Sequence, residues 1–121
     1  MKKWLSYLSA AAAFAAFPAL AESPYDGLYV ATGVEGWTCE PGEVGMEFGA
    51  LAIEDGVLKG LENTCQLTNP TQVRGMVATL YDANCTGEGE TYSYRLMLMK
   101  SDNGVYVIDD GYVAEWTLCE R

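Results

Sequence analysis

Apolar residues recur at every second position through much of this chain, most clearly in TYSYRLMLMK (residues 91–100). In an extended strand Tyr92, Tyr94, Leu96 and Leu98 fall on one face, and Ser93, Arg95, Met97 and Met99 on the other. Turning the first set inward leaves Ser93 and Arg95 in water, which avoids burying their polar atoms. GALAIEDGVLKGLE (49–62) has the form of a hairpin, two apolar runs around Glu54-Asp55-Gly56. YDGLYVATGV (25–34) is an opening strand, followed by the Gly/Pro/Glu loop WTCEPGEVG (37–45). ENTCQLT (62–68) reads as a short strand ended by Asn69-Pro70, and GMVATLYDANC (75–85) as another, ended by Gly87-Glu88-Gly89. Beyond the turn Ser101-Asp102-Asn103-Gly104 come VYVI, the turn Asp109-Asp110-Gly111, and the last strand YVAEWTLC (112–119).

That pattern predicts an all-β fold of about eight short strands. No stretch carries a helical period, although residues 70–75 have the composition of a single helical turn. Neighbouring antiparallel strands of this number form a meander closed into a small, roughly eight-stranded barrel, or a flattened sandwich. Closure also removes the exposed edges of a Tyr- and Val-rich sheet.

The first residues change the picture of where this domain works. Lys2 and Lys3 precede an apolar run over residues 4–17, then Pro18 and the small-x-small pattern Ala19-Leu20-Ala21. This is the form of a cleaved export signal, too short for a membrane span. Residues 1–21 are therefore expected to be removed, leaving residues 22–121 as a single β domain in the periplasm or medium. Losing two lysines and no acid takes the formal charge from −10 to −12.

Four cysteines (Cys39, Cys65, Cys85, Cys119) all lie in the mature part. An even count in an oxidising compartment reads as two disulfides, and a domain this small gains from such staples. Zinc and thioredoxin-type redox chemistry are poor alternatives, because the chain has no histidine and no C-x-x-C. If the connection over residues 68–75 is wide, the strands on either side place Cys65 opposite Cys85; a tight turn at Asn69-Pro70-Thr71 separates them. Pro70 and Gly75 favour the wide loop, which leaves Cys39 to join Cys119.

The W-x-C of residues 37–39, the CxxT of residues 65–68, CTGEGE (85–90) and a last cysteine near the C-terminus together give a recognisable layout. It resembles that of small four-cysteine exported proteins of unassigned function in Gram-negative bacteria. The resemblance implies a disulfide-stapled β domain and carries over no catalytic residue.

Candidate chemistry is sparse. Without histidine no Ser-His, Cys-His or His-metal arrangement is available, so an enzyme is not expected. The carboxylate pairs Glu88/Glu90, Glu54/Asp55 and Asp109/Asp110 sit in turns, where acids favour tight bends; only burial of one member would fit them for acid–base hydrolysis. The acids near residues 102 and 109 fall at opposite ends of one strand and lack an EF-hand pattern, so no calcium site is expected. Met97 and Met99 without a thiolate or imidazole make a thin copper site, and no cofactor is expected. The acidic charge disfavours nucleic acid and anionic membranes and favours a basic protein partner.

The expectation is an exported binding module, in its sharpest form an inhibitor of a basic secreted enzyme. The alternative is a small-ligand carrier with an apolar, Tyr-lined barrel cavity. The expected contact surface is the loop over residues 35–46, where Trp37 stands among Glu35, Glu40 and Glu43.

Overall fold

A computed structural model of the chain describes residues 23–120; the expected signal, residues 1–21, lies outside the described residues. The fold is a closed eight-stranded antiparallel barrel in which each strand pairs with the next. The strands are β1 (Gly27–Ala31), β2 (Leu51–Glu54), β3 (Val57–Gly60), β4 (Asn63–Gln72), β5 (Ala78–Gly87), β6 (Glu90–Lys100), β7 (Gly104–Asp109) and β8 (Tyr112–Leu118). Closure comes from β1 pairing with β8, from Tyr29↔Leu118 to Ala31↔Trp116. The one helical element among the described residues is a 3-10 turn, Pro41–Glu43.

Local chemistry explains the tight connections. In the β2–β3 hairpin Glu54 pairs with Val57, so Asp55 and Gly56 alone make the turn. Both have positive φ, 52° and 78°, as the mirror-image hairpin turn requires. Glu88 and Gly89 repeat this between β5 and β6, with φ of 51° and 79°.

Two local expectations are corrected. Asn69-Pro70 does not end β4, which runs on to Gln72. Asn69 turns to φ 52° and the β4–β5 register shifts between Thr68 and Thr71, so the strand absorbs Pro70 in a bulge. Residues 70–75 accordingly contain no helical turn; Thr71 and Gln72 pair with Leu80 and Thr79.

The interior is packed with side chains. Tyr25, Tyr29, Ile53, Leu58, Leu96, Leu98 and Val105 are buried, and Trp116 closes on Tyr29 with ring centroids 6.0 Å apart. Buried phenols need partners. Thr79 Oγ1 donates to Gln72 Oε1 (3.2 Å) and so receives the Tyr25 hydroxyl at 2.8 Å, while the Tyr29 hydroxyl donates to the Tyr25 carbonyl.

Both expected disulfides are present, Cys65–Cys85 across the β4–β5 ladder and Cys39–Cys119 between the β1–β2 loop and the end of β8. β6 takes the expected orientation: Leu96 and Leu98 are buried, Ser93 and Arg95 exposed. Tyr92 departs from it at 42% exposure, because the first half of β6 runs past the end of β7.

Candidate functional site

The loop over residues 32–50 is built as a strap. Thr38 and Cys39 donate their N–H groups to Gly49 O (3.2 and 3.0 Å), Gly45 O accepts from Glu62 N–H (3.0 Å), and Cys39–Cys119 locks the strap to the last strand. Pro41 and Val44 lie beside Leu28, Ala52 and Lys59, so the strap runs down the outer wall of β1–β3.

The four residues expected to bind there divide into two pairs. Glu35 and Glu40 are exposed. Glu43 is half-buried: its Oε1 accepts the Thr38 hydroxyl at 2.6 Å, and its carbonyl accepts Met46 and Ala50 N–H groups. Trp37 is half-buried against the core and edge-on to Phe48, with ring centroids 5.9 Å apart. Glu43 and Trp37 therefore hold the strap to itself and to the barrel, while Glu35 and Glu40 face solvent.

A second surface was not expected from the strand pattern. β6 pairs with β5 from Glu90 to Met99, but with β7 only from Met97 to Lys100. Lys100 N–H donates to Val77 O (3.0 Å), so Lys100 and every second residue before it turn their backbone groups toward β5. Met99 and Met97 turn theirs toward Tyr106 and Ile108 on β7. Thr91, Ser93 and Arg95 point the same way, and among the described residues no strand lies opposite them.

Where β7 is missing, a groove of about 930 Å³ opens beside β6. Tyr92, Tyr94 and Leu96 line its inner side and Leu80, Arg95, Met97 and Ile108 its outer side. The tyrosine rings stack with centroids 6.2 Å apart, and the Tyr92 hydroxyl accepts a hydrogen bond from Asn63 Nδ2 at 3.1 Å. Asp109 and Asp110 close one end of the groove. Burial, then the negative charge of Asp109, pushes the Tyr94 phenol above its usual range. The outer Arg95 guanidinium faces Asp82, Nε to Oδ1 at 3.3 Å.

Antiparallel order gives this end of the barrel its charge. The β3–β4, β5–β6 and β7–β8 turns all emerge there, carrying Glu62, Glu88, Glu90, Asp109 and Asp110. Arg74 and Lys100 lie toward the opposite end, beside the acids Glu54, Asp55 and Asp102 of the β2–β3 and β6–β7 turns. The signal in the sequence for the groove is unequal length: β6 has 11 residues against 6 in β7, so the longer strand must overhang.

No protein-family model, curated protein or solved structure matches this chain.

Proposed function

We propose that this protein is an exported binding module, working in the periplasm or outside the cell, that recognises a basic protein through its outer surface. The observation that carries this reading is the filled barrel: side chains from Tyr25 to Trp116 occupy the interior, so recognition falls to the surface. A carrier of small ligands needs an enclosed interior of a few hundred Å³; the space of about 930 Å³ beside β6 is an open groove, and the buried tyrosines and leucines of the barrel speak for the surface reading. The acidic rim and the formal charge of −12 after signal removal favour a cationic partner and fast, steered encounter. Inhibition of a basic secreted enzyme is the sharpest form of this function; no catalytic role is assigned to the module itself.

The test is capture from envelope extract and culture medium on the immobilised, oxidised protein at low and high salt. Retention of basic proteins that salt releases is expected. Retention indifferent to both salt and partner charge, or no retention at all, overturns the reading.

A further inference from the structure

We infer that the open edge of β6 takes up an extended, basic segment of the partner protein as an added strand. This rests on the binding-module reading above and specifies where and how the partner is held. Three independent observations converge on the one place. The first is backbone: Thr91, Ser93 and Arg95 aim N–H and C=O groups past the end of β7, with no strand opposite among the described residues. Exposed edges of this kind are usually blunted by proline or a bulge, and β6 has no proline and no register shift against β5. The second is shape: the groove continues the line of β7 past Asp109, the path an added antiparallel strand would follow. The third is charge: Asp109 and Asp110 stand at one end of that path, and Glu88 and Glu90 at the other.

Strand alternation then sets the chemistry of the occupant. Side chains on its inner side meet Tyr92, Tyr94 and Asp109, a surface suited to lysine or arginine over aromatic faces. Side chains on its outer side meet Leu80, Met97, Ile108 and Arg95, whose guanidinium faces Asp82, so this side excludes cations and takes apolar residues. The segment therefore alternates basic and apolar residues.

The probe is a short synthetic peptide of alternating lysine and valine, measured by calorimetry against the oxidised protein. Its counterpart carries N-methyl groups on the backbone amides that would face β6, which removes the ladder bonds and keeps the charge. Binding of the plain peptide is expected, weakened about tenfold or more by N-methylation and again by high salt. Ser93→Pro should abolish binding by removing an edge N–H, and it leaves the β5 ladder intact because that N–H points away from β5. Should Ser93→Pro fail to fold, the methylated peptide tests the same bonds from the ligand side.

Equal binding of both peptides overturns strand addition and leaves charge attraction alone, with the general function standing. The same holds if basic proteins are captured from extract but the plain peptide does not bind. Absence of both the peptide complex and salt-sensitive capture removes both readings. A dimer in sedimentation that Ser93→Pro dissolves would make a second copy of this chain the occupant, and would overturn a basic segment in that role.

Discussion

Gly104, the first residue of β7, pairs with Thr117 so closely that a Cβ there would stand 1.9 Å from Trp116 O and 3.0 Å from Leu118 N. Both neighbours are backbone, so neither can swing aside. Gly104→Ala should cost on the order of 2–4 kcal/mol, read as a lowered denaturation midpoint with an unchanged slope. In the sequence this glycine reads only as the end of Ser101-Asp102-Asn103-Gly104, because its constraint comes from a strand a dozen residues later. Tyr29 offers a second test. Burial, with the nearby charge of Asp26 adding to it, pushes its phenol from the usual 10.0 up to about 12. The folded core holds the neutral form, so this contribution to stability is whole below about pH 10 and is lost as pH rises through 12. Tyrosinate absorbance followed together with unfolding should show Tyr29 ionising only as the barrel opens.

Among the elements, the strap over residues 32–50 departs most from a bare barrel. Loop-closure entropy assigns about 4.5 kcal/mol to Cys39–Cys119, which spans 80 residues, and about 3 kcal/mol to Cys65–Cys85, which spans 20. Replacing Cys39 and Cys119 by serine should raise hydrogen exchange across residues 32–50 while the β5–β6 ladder stays protected. Trp37→Ala removes the strap's contact with Phe48 and the core and should cost roughly 2–3 kcal/mol. If the variant, once folded, binds its partner with an unchanged off-rate, Trp37 is a strut; a faster off-rate would make it an anchor in the interface. The strand pattern was legible here because alternation and Gly-rich turns are local signals. The extension of β4 through Pro70 was not: an edge-tolerant proline and a bulge are decided by what β5 offers opposite, in Leu80 and Thr79.

For the whole molecule, both ends of the barrel carry acidic turns, but Arg74 and Lys100 lie at the end away from the open β6 edge, so the end with the edge has the less compensated negative charge. Under the proposed mode of binding, Asp109→Asn with Asp110→Asn should slow association with a basic partner several-fold. Glu35→Gln with Glu40→Gln should slow it less, because those residues sit on the strap and not on the groove. Added salt should compress both differences, and stopped-flow measurement across ionic strength checks this. Barrel closure and the inner face of TYSYRLMLMK could be read from patterning because a filled barrel of short strands leaves few other ways to bury Leu96 and Leu98. The groove could be read only by comparing the lengths of β6 and β7, since it arises from a mismatch between two strands and not from any motif within either. The expected site was placed where an aromatic and several acids are close in sequence, and two of its four members prove to serve the strap.

The seam between β1 and β8 also has a consequence in time. Every other ladder joins strands adjacent in sequence, whereas Tyr29↔Leu118 brings together positions at the two ends of the sheet. Local pairings close cheaply and early, and the seam must wait until the intervening strands have ordered. Cys65 and Cys85 face each other within a single hairpin, while Cys39 meets Cys119 only across the finished seam. Oxidative refolding should therefore pass through a species holding Cys65–Cys85 alone, visible by thiol trapping and mass mapping. The reverse order, with Cys39–Cys119 first, would mean that the ends meet before the middle has formed.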